Sequence, residues 1–149
     1  MSRRNTQASH ILSPVRESDS PLELCRRYRD AFFARDADAL LALVTPDFVF
    51  ENVTAGERVE GTNAVRSHLA AIFSRWPDLR FVERDEGIMP GERHAVAEWT
   101  ARATHPDTGQ PIEWEGMDLI QVRDGRISRN AVYSSAHRAR PQAPAGADV

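Results

Sequence analysis

Beyond Pro77 the apolar residues of this 149-residue chain stop recurring every third or fourth position and begin to alternate. That switch from a helical period to a strand period constrains the fold more than any other feature. The alternation is clearest from His94 to His105. There Ala95, Ala97, Trp99, Ala101 and Ala103 share one face, with Glu98, Thr100 and Arg102 opposite. Further strands are expected over Leu79–Glu86, Ile112–Val122 and Arg126–Tyr133, with turns at Pro90-Gly91 and, as a two-residue hairpin, at Asp124-Gly125.

The helical half precedes it. Ser20 reads as an N-cap, Pro21 as a first helical residue and Glu23 as the capping-box partner. Leu24, Cys25, Tyr28, Ala31, Phe32 and Arg35 then form one stripe. Asp36 restarts a short helix through Leu40, Leu41 and Val44, which Pro46 stops. Phe48–Asn52 and Glu57–Glu60 read as short strands about the Ala55-Gly56 turn. Thr62 is expected to cap a third helix with Val65, His68, Leu69, Ile72, Phe73 and Trp76 on one face. Helices first and antiparallel strands after predict an α+β fold, with helices packed on one face of a curved sheet. Residues 1–19 are expected to be a flexible arm, 20–137 the single domain, and 138–149, rich in Pro, Ala and Gly, a disordered tail.

Composition removes several functions. The 41% hydrophobic and 28% charged fractions suit a globular domain, and a net charge of -3 argues against nucleic acid or an anionic membrane as partner. All 19 basic residues are Arg. Lysine Schiff bases, lysine-anchored pyridoxal phosphate and a Walker-A loop are thereby excluded. The single cysteine, Cys25, forms no intrachain disulfide and reads as a small buried hydrophobe. His94 and His105 differ in strand parity, and no H-x-x-x-H or H-E-x-x-H spacing occurs, so no metal is expected. Ser134, Ser135 and His137 lack the context of a catalytic triad. No run approaches a membrane span and no secretory leader is evident, which makes the cytoplasm the expected location.

Particular strings resemble the nuclear transport factor 2-like superfamily. Tyr28-Arg-Asp-Ala-Phe-Phe-Ala-Arg-Asp-Ala-Asp-Ala-Leu is similar to its first helix and restart, and Asp47-Phe-Val-Phe-Glu-Asn52 to its first strand. Gly61-Thr-Asn-Ala-Val-Arg and Trp76-Pro-Asp-Leu-Arg resemble the ends of the third helix. Glu115-Gly-Met-Asp118-Leu-Ile-Gln-Val-Arg-Asp-Gly-Arg-Ile looks like the hairpin of the SnoaL-like polyketide cyclase branch. The resemblance covers residues 21–137 and implies a cone-shaped fold whose curved sheet and three helices enclose a deep apolar pocket.

What it implies about chemistry is read position by position. Against ketosteroid isomerases, Tyr28 and Asp118 match the oxyanion-hole pair, but the base position falls on Asn52, whose amide accepts no proton at neutral pH. Against limonene-epoxide hydrolases, Asn52 matches a water-positioning Asn while the activating carboxylate falls on Val132. SnoaL-like cyclases use an Asp at the position of Asp118 as general acid/base for an aldol closure, often with Asn at the position of Asn52. That pattern fits best.

Four polar residues are therefore the expected catalytic set: Asp118, on a strand face with Trp114, Gly116 and Ile120; His68, in the middle of an apolar helix stripe; Tyr28; and Asn52. An Asp on an apolar face is costly unless paired or neutral, which suits it to proton exchange. Each also has an ordinary reading: a structural carboxylate, a core histidine, a core aromatic and a turn residue. Trp114, Phe50, Ile72, Trp99 and Ile120 are the expected substrate-binding residues, with one of Trp99 and Trp114 at the cavity and the other at a sheet interface. The expected protein is a cofactor-independent enzyme acting by enolisation on a hydrophobic, polyketide-like carbonyl compound, leading to cyclisation, isomerisation or dehydration. The alternative is a non-catalytic binding or association module. By resemblance, a homodimer through the outer sheet face is expected.

Overall fold

The computed structural model describes residues 19–82 and 88–143. Helix α1 (Pro21–Phe33) opens as its sequence dictates, with the Ser20 side chain accepting from the Glu23 amide. Helix α2 (Ala37–Leu41) is capped by Asp36, whose carboxylate accepts from the Ala39 amide. It stops three residues sooner than expected, because Val44 belongs to strand β1 (Val44–Asn52). Pro46 sits within that strand, at the register shift between Val44 and Val49, where a missing N–H breaks no regular ladder bond. Strand β2 (Glu57–Glu60) pairs back on β1.

Helix α3 (Thr62–Arg75) takes Gly61 as its cap, not Thr62. Gly61 lies at φ 87°, a conformation natural only to glycine, and its amide donates to the Phe48 carbonyl. Strand β3 (Arg80–Val82) starts one residue later than expected, and residues 83–86 of the strand expected over Leu79–Glu86 lie outside the described residues. Strand β4 (Ile88–Pro90) has no counterpart in the sequence reading. Strands β5 (His94–Thr104), β6 (Pro111–Arg123) and β7 (Arg126–Ser134) form the long meander. Asp124 and Gly125, both at positive φ, make the two-residue β6–β7 turn.

These strands form one curved, unclosed sheet in the order β2-β1-β7-β6-β5-β3, with β4 also on β5. All pairs are antiparallel except β1 with β7. The chain ends differently from expectation. A 3-10 turn (Ala136–Arg138) leads to strand β8 (Arg140–Pro141), which pairs with β6, so residues expected in a disordered tail are part of the sheet. Arg140 reaches the buried Glu113, which Arg102 holds from the other side. The arm expected over residues 1–19 and the end of the tail lie outside the described residues, save Asp19, whose carboxylate pairs with Arg27.

The principal core sits between the helices and the inner face of the sheet, with Leu24, Leu40, Phe48, Val65, Leu69, Ile120 and Ile127 fully buried. A second cluster gathers Trp99, Ala101, Ala103 and Trp114 towards the other end of the long strands. Arg35 links the two regions. Its guanidinium donates to the carbonyls of Trp76, Pro77 and Leu79, tying the end of α1 to the exit of α3. No helix among the described residues is long and apolar enough to cross a membrane.

Candidate functional site

Between the two clusters, both of which pack on Val132, the sheet and helices leave a cavity of about 540 Å³. That volume is in the range of small-molecule sites. Strand register dictates its floor. One transverse row runs Ala97–Asp118–Val132–Asn52–Glu57 across β5, β6, β7, β1 and β2, and all five residues line the cavity. The row beside it runs Ile120–Asn130–Phe50 across β6, β7 and β1. On the other side Trp99 is paired with Gly116, and beyond it Ala101 with Trp114. Helices α1 and α3 supply the walls: Cys25, Tyr28, Arg29 and Phe32 from the first, His68, Ala71, Ile72 and Arg75 from the second.

All nine residues singled out from the sequence line this one cavity. Trp99 and Trp114 both do so, because both occupy the inward parity of adjacent strands; neither is at a sheet interface.

Asp118 is half-buried, and its Oδ1 accepts from Trp99 Nε1 at 3.1 Å. The indole reaches it by lying across Gly116. A Cβ at that position would overlap the Trp99 ring and stand 2.8 Å from the Tyr133 carbonyl oxygen. An indole N–H on a carboxylate fixes its orientation.

Tyr28 is buried on α1, and its hydroxyl donates to Asn130 Oδ1 at 3.2 Å. Burial, and secondarily the nearby charge of Asp118, hold its proton well above the ordinary tyrosine range. This hydroxyl is thus a permanent donor near neutrality. In this arrangement it donates to the sheet. His68 packs its imidazole against Phe50, ring centroids 5.2 Å apart. Asn52 lines the cavity, and its side-chain oxygen accepts from the Ala55 amide in the β1–β2 turn.

Asn130 was not among the expected residues. It is 1% exposed, sits between Phe50 and Ile120, and its Nδ2 has no hydrogen-bond partner among the described residues. Strand parity carried the signal: Asn130, Val132 and Ser134 alternate on the inward face of β7. No three His, Cys, Asp or Glu side chains among the described residues come together as a metal site.

The SnoaL-like domain family model matches residues 25–130 of the chain, from α1 into β7. The chain belongs to the SnoaL-like domain family. This places it in the nuclear transport factor 2-like superfamily. No curated protein matches the chain. Among solved structures, a putative SnoaL-like polyketide cyclase from Jannaschia sp. CCS1 is similar at 18% identity and TM-score 0.71, over 85% of this chain and 91% of that one. A putative polyketide cyclase from Xanthomonas campestris pv. campestris shares 27% identity at TM-score 0.60, over 77% of this chain and 90% of that one. An NTF2-like protein of unknown function from Burkholderia pseudomallei K96243 shares 16% identity at TM-score 0.71, over 80% and 94%. The SnoaL-like fold is common to all three, whereas their described functions are not.

Proposed function

We propose that this SnoaL-like protein is a cofactor-independent acid–base enzyme that enolises a hydrophobic, polyketide-like carbonyl compound. The observation that carries the reading is the Asp118 carboxylate, half-buried on the floor of a mostly apolar cavity and oriented by the Trp99 indole. In the first step Asp118 takes a proton from the carbon alpha to a carbonyl. The C–H electron pair forms the enolate double bond, and the carbonyl π pair moves to oxygen, where a hydrogen bond from Tyr28 stabilises it. The enolate carbon then attacks a second carbonyl, or takes up a proton at another carbon. In the ring-closing case, protonated Asp118 returns its proton to the new alkoxide.

Strand spacing sets the place of Asn52. It lies on the same row as Asp118 but two strands away, roughly 9–10 Å between backbones. Its amide therefore serves a second oxygen further along the substrate, which suits a compound oxygenated at intervals. His68, packed on Phe50, supplies a wall. The pairing of two copies through the outer sheet face, where Met117 and Tyr133 are exposed side by side, belongs to the same proposal.

The test is exchange of alpha-protons of a bicyclic ketone such as 2-tetralone in deuterated water, followed by NMR. The wild type should accelerate exchange, and Asp118→Asn should lose about 10²-fold or more of that rate. Equal rates in the two proteins would reject the mechanism. Binding of the ketone without exchange would instead support a ligand-binding module, the reading that the turn-bound carbonyl of Asn52 favours.

A further inference from the structure

The Tyr28–Asn130 pair is arranged the wrong way round for a hydroxyl that serves a ligand. Tyr28 donates into the sheet, to Asn130 Oδ1, and the buried Nδ2 of the same carboxamide is left without an acceptor. Buried N–H groups without acceptors are rare because they are costly. The two ends of a carboxamide have nearly the same size, so a half-turn about its last side-chain torsion exchanges them without repacking Phe50 or Ile120. After that turn Nδ2 donates to the Tyr28 oxygen, and the tyrosine proton is free to point into the cavity, towards the side that Asp118 occupies.

We infer that Asn130 is a positioning residue: its carboxamide turns when a carbonyl compound enters, aiming the Tyr28 hydroxyl at the ligand's oxygen. The specificity this confers is for ligands bearing a carbonyl or enolate oxygen over hydrocarbons of the same shape. The inference rests on the proposed function only in taking the cavity as the site of a carbonyl compound; it requires no turnover.

The experiment is equilibrium binding, read by tryptophan fluorescence, of 2-acetylnaphthalene against 2-isopropylnaphthalene, which differ in one acceptor oxygen. The wild type should prefer the ketone by about tenfold. Asn130→Asp, assayed at a pH where its carboxyl is ionised, offers Tyr28 only acceptors, locks its proton towards the sheet, and should bring the preference below about twofold. Asn130→Leu leaves the hydroxyl no partner except the ligand, so the preference should persist, and adding Tyr28→Phe should abolish it. A packing role for Asn130 moves both single variants alike, and direct donation by its amide removes the preference in the Leu variant; either result overturns the inference. So does a ketone that binds no better than the hydrocarbon, or not at all. Should the buried carboxylate of Asn130→Asp prevent folding, the Leu variant with and without Tyr28→Phe decides the matter. A protein inert in proton exchange that still shows this pattern refutes the enzyme and upholds the swivel.

Discussion

Tyr28 shows how one side chain can be bound to two outcomes. Its burial raises its proton affinity in the folded state, with the charge of Asp118 adding to the effect. The folded protein therefore keeps this proton where the unfolded chain loses it, at about pH 10. Stability from this group is fully present below that pH and declines as pH rises beyond it, because the unfolded state then binds fewer protons. Denaturant unfolding of the wild type between roughly pH 9 and 11, either side of the ordinary tyrosine range, should show a falling midpoint. Tyr28→Phe should flatten that fall. An unchanged slope would mean that the tyrosine is not shielded from solvent in the folded protein.

At the scale of elements, the strands determine what can be near what. Gly116 is required because its partner on β5 is a tryptophan whose ring occupies the space of a side chain. Gly116→Val should cost about 1–3 kcal/mol by overpacking and should displace the indole from Asp118. Urea denaturation reads the first effect; a changed pH profile of proton exchange, with Trp99→Phe as the matching control, reads the second. The same register explains what could be read from the sequence. Parity along β5 and β6 was legible, so Trp114, Gly116, Asp118 and Ile120 fell on one strand face, but alternation alone left open which of Trp99 and Trp114 faced the cavity. The β6–β7 neighbourhood was legible from the Asp124-Gly125 hairpin, but the pairing of β1 with β7 was not, since it joins strands in parallel across most of the chain. Without that pairing Asn130 could not be placed beside Phe50, and its meeting with Tyr28, 102 positions away, stayed hidden. Val44 was misread because a β-branched residue three positions after Leu41 fits the helical stripe as well as the strand. The Gly61 cap was missed because Thr62 is the better side-chain cap, whereas the chain needed a residue at positive φ.

The whole molecule is closed at one end by an element that composition hid. Proline and alanine dominate the segment after Arg138, yet Arg140 pairs with Glu113, whose carboxylate is otherwise held only by Arg102 among the ion pairs described. Removing residues 140–149 should lower stability by about 1–2 kcal/mol, or roughly 3–6 °C in Tm, through the loss of that charge pair and the β8 ladder. Calorimetry of the shortened chain checks this; an unchanged Tm would make β8 an ornament of the sheet.

The indole laid over Gly116 carries a consequence for descent. Positions 99, 116 and 118 are a tryptophan, an absent side chain and a carboxylate that satisfy one another, so each restricts what the other two can become. A lineage that enlarges residue 116 must first shrink residue 99, and in doing so it releases the carboxylate from the indole that orients it. Homologues should accordingly divide into those that keep all three together and those that have exchanged them as a set, with altered acidity as the mark of the exchange.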